Sequence, residues 1–179
     1  IHIMFSSLIF AVLCASSSSN FNLSTTEIEW NTPHAPFALF GNTYFVGVSG
    51  LSSVLITSPQ GHVLIDGALP ASAPRILENI KTLGFNVKDI KYILNTHAHH
   101  DHAGGIAEIQ KESGAIVVGS TLSIKALQSG SCSQDDPQFG SAPDFPAVKD
   151  TRAVDDKEVL TLGSIAITGH HTAGHTPGG

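Results

Sequence analysis

The chain has 179 residues, a length that suits one domain or part of a larger one. Its hydrophobic content of 41% supports a packed core and argues against intrinsic disorder. A formal net charge of −6, without any basic run, disfavours a nucleic-acid partner. Ten histidines are present, and most of them fall in two clusters, 97–102 and 170–175. This clustering is the first indication of a functional site.

The N-terminal region contains an apolar run from Met4 to Ala15, followed by serines. The run is too short to span a bilayer. It is typical of the apolar centre of a secretory signal, so residues 1–19 are predicted to be a signal peptide and the protein to be periplasmic or secreted. No Lys or Arg precedes the run, and a buried N-terminal strand or helix is therefore the alternative. Stable membrane insertion is not expected.

The first half of the predicted domain, which starts at residue 20, is rich in strands. Residues 20–40 carry aromatic residues and prolines, and we expect an extended segment that packs on the core. "NTYFVGVSG" and "LSSVLITS" predict two strands, and "HVLID" predicts a third that ends at Asp66. The apolar residues of "APRILENIKTLGF" then recur at helical spacing, with Pro74 in the first turn and Gly84 after the last.

The second half alternates strands and helices. "DIKYILN" is a predicted strand, "AGGIAEIQKESG" a helix closed by Gly114, "AIVVG" a strand, and "STLSIKALQSG" a helix capped by Ser120. A long polar loop over residues 129–150 is followed by a hairpin that turns at Gly163–Ser164. The alternation predicts an α/β protein with partly mixed sheets.

The segment "HAHHDH", His97 to His102, lies where a predicted strand passes into a helix. His97 and His99 are two residues apart and point to the same side of an extended segment. Imidazole nitrogens are good zinc ligands, and a hydrolytic zinc site takes three protein ligands and keeps one position open. His175, in the loop "GHTPGG", is the predicted third ligand. Asp101 and His102 are predicted to begin a second metal site.

An accidental metal-binding tract is the alternative, but a hydrophobic strand before the cluster and a Gly-Gly helix start after it disfavour that reading. His100 is predicted to face away or to line the pocket, and His170 and His171 are predicted to lie near the site without binding metal. Asp66 either orients a metal-bound histidine through its second ring nitrogen or is a plain turn residue. Cys132 is outside any CxxC motif and is predicted to be an ordinary thiol.

These motifs resemble those of the metallo-β-lactamase superfamily. Its H-x-H-x-D-H signature appears as "HAHHDH", followed by "AGG" and later by "GHTPG". Within the superfamily the chain most resembles class B, subclass 3 β-lactamases, through "GNTYFVGVSGLSSVLITSPQGHVLIDGALP", "ILNTHAHHDHAGGIAEIQ", "DDPQFG" and "HHTAGHTPGG". A histidine at the position of His102 separates this subclass from the other two. The similarity runs from about Trp30 to Gly179.

The resemblance implies a four-layer αββα sandwich with two zinc ions (Zn²⁺) at one edge, between its sheets. It implies that His97, His99 and His175 hold the first zinc, and that Asp101 and His102 hold the second together with a later histidine. Asp101 is also the implied catalytic residue, orienting a metal-bound hydroxide that attacks the β-lactam carbonyl. The implied substrates are small molecules: penicillins, cephalosporins and carbapenems.

The chain ends directly after "GHTPGG", and His175 is its last histidine. Compared with the family pattern, much of the second half of the sandwich and one ligand of the second zinc are missing. We therefore expect a C-terminally truncated portion of the domain, over residues 20–179, that binds about one zinc tightly. The alternatives are a lactone or thioester hydrolase of the same superfamily and an inactive zinc-binding fragment. Gly179, where glyoxalase-like members tend to place a histidine, disfavours the thioester hydrolase.

Overall fold

The computed structural model describes residues 22–179, so the predicted signal peptide lies outside the described residues. The helices are α1 Thr25–Trp30, α2 Ala73–Thr82, α3 His100–Ala103, α4 Ile106–Ser113 and α5 Thr121–Ser129. The strands are β1 Phe37–Phe40, β2 Thr43–Phe45, β3 Val54–Ser58, β4 Gly61–Ile65, β5 Ile90–Leu94, β6 Ile116–Ser120, β7 Thr151–Val154, β8 Val159–Leu162 and β9 Ile165–Thr168. None of the helices in this part of the chain has both the length and the apolar character that a membrane span requires.

Strands β1 to β7 form one mixed sheet in which the spatial order follows the chain. The pairs from β1 to β4 are antiparallel, and those from β4 to β7 are parallel. Parallel neighbours need crossover connections, which are supplied by α2, by α3 with α4, and by α5. The carboxyl ends of β4, β5 and β6 therefore meet at one edge of the sheet, and this edge carries the histidine cluster.

The hydrophobic core lies between the large sheet and the helices. Leu64, Ile93 and Val117, one from each of three adjacent strands, are fully buried in it. The next residue of each strand points to the opposite face, because side chains alternate along a strand. A cavity of about 330 Å³ lies between that face and the β8–β9 hairpin, with an apolar lining that includes Ile65, Leu94, Val118, Leu160 and Ile167. The predicted α/β fold is thus confirmed, with a helical layer, the large sheet and the hairpin stacked in that order.

Local sequence signals position the predicted helices correctly. Pro74 lies in the first turn of α2, and the Ser120 side chain accepts a hydrogen bond from the backbone N–H of Ser123 at the start of α5. Gly114 ends α4 with a left-handed φ of 77°. The hairpin turns at Gly163, as predicted. These signals act within a few residues, so the sequence alone reveals them.

The prediction of an extended segment over residues 20–40 is wrong in part. Residues Thr25–Trp30 form helix α1, which begins with a capping box in which Ser24 and Glu27 bond each other's backbone N–H groups. Strand β1 follows but does not pack on the core, since Phe37 and Phe40 are 44% and 88% exposed. The Ser-x-x-Glu spacing outweighs the aromatic and proline content that indicated an extended chain.

Three further elements differ from the sequence predictions. The strand predicted for "NTYFVGVSG" is limited to Thr43–Phe45. The helix predicted for "AGGIAEIQKESG" begins only at Ile106, as α4, and a separate short helix, α3, lies before it at His100–Ala103. A Cβ on Gly105 would collide with the carbonyl oxygen of Gly67, so the chain must have a glycine where it passes this close to the end of β4. Strand β7, at the end of the polar loop, was not predicted.

Candidate metal centre

The site begins with Asp66, the first residue after β4. Its backbone has a positive φ of 58°, which is uncommon for a residue other than glycine. Asp66 Oδ1 accepts hydrogen bonds from the backbone N–H of Thr96 at 2.8 Å and from Nδ2 of Asn95 at 3.1 Å. Its Oδ2 accepts from Oγ1 of Thr96 at 2.6 Å. Asp66 therefore holds the end of β4 against the segment that leads into the histidines.

His102 is the fourth group held by this carboxylate. Its Nδ1 lies 2.9 Å from Oδ2 of Asp66 and donates to it, since a carboxylate can only accept. The second ring nitrogen, Nε2, lies 3.6 Å from Oδ2 of Asp101. The bond to Asp66 thus sets the orientation of the imidazole and leaves Nε2 and the Asp101 carboxylate beside each other.

His97, His99 and His175 form a second group in which one potential ligand atom of each residue lies within 4.8 Å of the others. Their ring centroids are 4.7 to 5.0 Å apart. Nδ1 of His99 lies 3.1 Å from Nε2 of His175, although 76 residues separate them. Three imidazoles converging in this way match the donor set and number that zinc takes in hydrolytic sites, so the residues present fit the predicted metal.

His97 is oriented by its neighbour. Nδ1 of His97 lies 3.2 Å from the Thr96 hydroxyl, whose single proton is donated to Asp66. The hydroxyl oxygen therefore accepts from Nδ1 of His97, and Nε2 is the nitrogen left with a lone pair. Burial, helped by the charges of His102, His99 and His175, lowers the pKa of His97 to about 4. The ring is thus neutral at pH 7, as a metal ligand must be.

His102 differs from His97 although their ring centroids are only 4.1 Å apart. Burial alone would lower the pKa of His102, but the hydrogen bond and the charge of Asp66, with the charge of Asp101, raise it above its ordinary value. Two adjacent imidazoles thus have opposite pKa shifts because only one of them bonds a carboxylate directly.

His175 is brought to the site by the C-terminal segment. The carbonyl oxygen of Gly178 accepts hydrogen bonds from the hydroxyl groups of Ser120 and Ser123, at 2.6 and 2.9 Å, at the start of α5. The backbone N–H of Gly174 donates to the carbonyl of Thr176 at 3.1 Å, which closes a tight turn around His175. The loop predicted from "GHTPGG" is therefore attached to the end of β6 beside the cluster.

The remaining histidines of the two clusters have other contacts. Nε2 of His100 lies 3.0 Å from Oε1 of Glu27 in helix α1, and the side chains are 16% and 17% exposed. His170 and His171 are exposed and line the cavity between the two sheets. None of these three belongs to a group of three metal-ligand side chains within residues 22–179.

Asp136, in the polar loop, was not singled out from the sequence. Its carboxylate oxygens lie 3.0 and 3.2 Å from Nε2 of His99, and Oδ1 accepts from the backbone N–H of Gln138 at 2.8 Å. Burial raises the pKa of Asp136, but the hydrogen bonds to Gln138 and His99 outweigh it and the pKa is lowered. The adjacent Asp135 is exposed. No feature of "DDPQFG" by itself distinguishes the two carboxylates.

Cys132 is buried near the same carboxylate. Burial, with the charges of Asp136 and Asp144, raises the pKa of the Cys132 thiol. Its thiol, the carboxylate of Asp136 and a ring nitrogen of His99 form the second group of three ligand-type side chains. A thiol with a raised pKa forms less thiolate than a cysteine with an ordinary pKa. It therefore reacts and binds metal less readily, because the thiolate is the nucleophile and the ligand.

Solved structures of metallo-β-lactamases are similar to this fold. The Rm3 metallo-beta-lactamase is 54% identical, with a TM-score of 0.85, and the similarity covers 87% of this chain and 58% of that one. MEM-A1, a subclass B3 metallo-beta-lactamase isolated from a soil metagenome library, is 57% identical, with a TM-score of 0.83 and coverage of 84% and 57%. The similarity to subclass 3 expected from the motifs is confirmed. The chain spans 57% to 58% of the length of these two proteins.

A shorter similarity reaches another kind of hydrolase. The N-acyl homoserine lactonase AttM of Agrobacterium fabrum is 35% identical over an alignment of 74 residues, and the match covers 29% of this chain and 28% of the lactonase. The family model of the metallo-beta-lactamase superfamily matches residues 46–179 and so includes every residue of the two histidine clusters. Together with the fold and the arrangement of the histidines, this match shows that the chain belongs to the metallo-beta-lactamase superfamily.

Proposed function

We propose that the chain carries the metal-binding half of a zinc-dependent hydrolase that opens the amide bond of β-lactam antibiotics. The convergence of His97, His99 and His175 at the end of the parallel strands carries this proposal. Identities of 54% and 57% to two metallo-β-lactamases, over more than four fifths of the chain, support the substrate class.

The first zinc ligands in this proposal are His97, His99 and His175. The hydrogen bond from His97 to Thr96 leaves Nε2 of His97 for the metal, and Nδ1 of His99 and Nε2 of His175 already face each other at 3.1 Å. All three offer an imidazole nitrogen, a donor that zinc commonly takes in hydrolytic sites. We assign no ligand role to His100, whose Nε2 is paired with Glu27.

Asp101 and His102 are the proposed ligands of a second zinc, with Asp101 also the catalytic residue. Asp66 holds Nδ1 of His102, which leaves Nε2 on the same side as the Asp101 carboxylate. Within residues 22–179, no group of three ligand-type side chains includes this pair. We therefore expect about one tightly bound zinc in the 179-residue chain, and two in the whole protein.

The chemistry proposed for this site is hydrolysis. Zinc, when bound, supplies a Lewis acid that polarises a carbonyl and lowers the pKa of a coordinated water. The side chain of Asp101, 26% exposed, is accessible to a substrate and can accept a hydrogen bond from the attacking water. The hydrogen bonds of Asp66 to Thr96 and His102 orient the His102 ring before a substrate enters, as a preorganised site requires.

Hydrolysis of a lactone is the second candidate, favoured by the similarity to AttM. A lactone and a β-lactam both present a carbonyl in a strained or activated ring, and the same ligands can serve either. The lactonase similarity covers 29% of the chain, against 84% for MEM-A1 at higher identity. The β-lactam is therefore the substrate we propose.

The apolar run Met4–Ala15 supports secretion or a periplasmic location.

The metal assignment is tested by zinc analysis of the purified 179-residue chain after dialysis. We expect about one zinc per chain, lost in His97→Gln, His99→Gln and His175→Gln. The matched control is His100→Gln, which should retain the metal. Two tightly bound zinc ions per chain, or loss of zinc in the control alone, would contradict the assignment.

The activity is tested on the whole protein with a chromogenic cephalosporin, a carbapenem, an N-acyl homoserine lactone and a thioester. We expect turnover of the β-lactams that a chelator abolishes and added zinc restores. Asp101→Asn should lower kcat by at least two orders of magnitude while the fold is retained. Turnover of the lactone or the thioester without any β-lactam turnover would establish the second candidate or a thioesterase instead.

A further inference from the structure

We propose that Asp136 is a positioning residue that fixes the ring of His99 so that Nδ1, and not Nε2, binds the metal. The proposal rests on the ligand role of His99 proposed above. Asp136 acts through the imidazole and does not itself touch metal or substrate. Its side chain comes from the polar loop between α5 and β7, a part of the chain to which the sequence patterns assigned no chemistry.

The geometry of the pair is that of a hydrogen bond. Nε2 of His99 lies 3.0 Å from Oδ1 and 3.2 Å from Oδ2 of Asp136, within the ordinary range for N–H···O bonds. A carboxylate can only accept, so Nε2 carries the proton. The other nitrogen, Nδ1, then has the lone pair and faces His175 at 3.1 Å. The contact thereby selects the tautomer of His99 that can bind zinc from the side of the cluster.

Burial makes this contact a strong constraint. His99 is 1% exposed and Asp136 is 8% exposed. A buried carboxylate without partners is costly, and so is a buried imidazole whose N–H has no acceptor. Rotating His99 by half a turn about its Cβ–Cγ bond would lose the bond to Asp136 and turn Nδ1 away from His175. The buried pair therefore resists the ring flip that would disable the site.

The loop that carries Asp136 is anchored well enough to act as a support. The backbone N–H of Asp136 donates to the carbonyl of Ser133, and its own carbonyl accepts from Phe139, both at 2.9 Å. Where the loop returns to α5, the backbone N–H of Phe145 donates to Gly130 at 2.8 Å. Consecutive hydrogen-bonded turns thus hold the carboxylate against His99 from the side opposite the metal ligands.

A metal bound between His99, Cys132 and Asp136 is the alternative use of these side chains. The 3.0 Å contact between nitrogen and carboxylate is already satisfied as a hydrogen bond, and a metal there would need the same Nε2. We therefore favour the positioning role. A variant that removes only the thiol separates the two, because a metal held by Cys132 would be lost and a hydrogen bond to His99 would not.

The test measures zinc affinity of the 179-residue chain by competition with a chromogenic chelator. Asp136→Ala should weaken zinc binding about 10- to 100-fold, as loss of such supporting groups commonly does. Asp136→Asn keeps an acceptor without the charge, so it should lose less. The matched controls are Asp135→Ala, which removes the exposed neighbouring carboxylate, and Cys132→Ala, and both should bind zinc like the wild type.

A second readout reports the tautomer directly. Long-range ¹H–¹⁵N correlation spectra of the metal-free chain should show His99 as a single Nε2–H tautomer in the wild type and as a mixture in Asp136→Ala. If Asp136→Ala does not fold, Asp136→Leu, which fills similar space without an acceptor, is tested by the same two measurements. If the variant without an acceptor at position 136 binds zinc with wild-type affinity and keeps the same His99 tautomer, the positioning role is wrong while the proposed metal site stands. Failure of the wild type to bind zinc overturns the proposed metal site and the positioning role with it, and zinc loss in Cys132→Ala supports the alternative metal site.

Discussion

The carboxylate of Asp66 lies 2.9 Å from Nδ1 of His102, although 36 residues separate the two in the chain. Asp66 follows β4 directly, and His102 belongs to α3, which follows β5 after the segment of His97 and His99. The backbone N–H of Gly67 also donates to the carbonyl of His102 at 2.8 Å. The end of β4 and the histidine cluster are thus joined by side-chain and backbone contacts into one unit.

Removing the Asp66 carboxylate should destabilise this unit. Asp66→Ala leaves four donors without their acceptor, on Asn95, Thr96 and His102. Because the Asp66 side chain is buried and the four hydrogen bonds are buried or partly buried, we expect the free energy of unfolding to fall by about 3 kcal/mol. Urea denaturation of the metal-free chain measures this loss. Asp89→Ala, at an exposed carboxylate, is the matched control, and an equal loss in both variants would contradict the special role of Asp66.

The pKa of His97 predicts a pH dependence of stability in the metal-free chain. In the folded protein the pKa of His97 is lowered to about 4, from an ordinary value of 6.5. The unfolded chain therefore takes up the proton first as pH falls. The contribution to stability is complete above pH 6.5 and is lost progressively towards pH 4. His102 acts in the opposite direction, since its pKa is raised.

The contribution of His97 is isolated by comparing the wild type with a variant that lacks this imidazole. We would measure the urea midpoints of the wild type and of His97→Gln from pH 7 to pH 4.5 with a chelator present. Plotted against pH, the midpoints of the two proteins should have different slopes. The wild type should lose more stability than the variant over this interval, because the variant has no imidazole to protonate at that position. The groups that act on the pKa of His97 are His99, His102, His175 and Asp66, and the variant retains all four of these residues. Parallel curves would show that His97 titrates equally in the folded and unfolded chains.

Gly105 should not tolerate a side chain. The Cβ of Gly105→Ala would meet the carbonyl oxygen of Gly67 and approach that of Leu69 to 3.0 Å. The backbone would have to shift between α3 and α4, at a cost of about 1 to 3 kcal/mol. Thermal unfolding measures this cost. Gly174→Ala is the matched control, since a Cβ there meets no atom within 4 Å, and it should unfold at the wild-type temperature.

Glu27 should stabilise the protein without taking part in metal binding. Its carboxylate accepts from the backbone and hydroxyl of Ser24, at 2.8 and 2.7 Å, and pairs with His100. We expect Glu27→Ala to lower the free energy of unfolding by about 1 to 2 kcal/mol, the range for a lost helix cap. Zinc content should not change, because His100 is not a proposed ligand. Glu29→Ala, in the same helix, is the control, and zinc loss in Glu27→Ala alone would contradict this division of roles.

Much of the fold could be predicted because its signals are local. Helix α2 carries its apolar periodicity with Pro74 and Gly84 at its ends, helix α5 carries its Ser120 cap, and the β8–β9 hairpin carries its turn at Gly163. Strands β1 and β7 were missed because both are short and largely unburied, so neither has a continuous apolar run. Helix α1 was not predicted because the aromatic and proline residues of this segment favour an extended chain, whereas the Ser24–Glu27 capping box favours a helix.

For the candidate site, the type and number of potential ligands can be read from the sequence alone, because the histidines of the 97–102 cluster and of the later cluster that ends at His175 can be counted directly. The nitrogen of each ring that is available to a metal depends instead on the folded structure. That choice depends on the hydrogen bonds that the rings donate to Thr96, Asp66 and Asp136, and the last two span 36 and 37 residues. Contacts at such separations follow from how strands and loops pack, and no local pattern encodes them. Asp135 and Asp136 are identical neighbours in the sequence, and only the path of the folded loop turns one of them into a partner of His99.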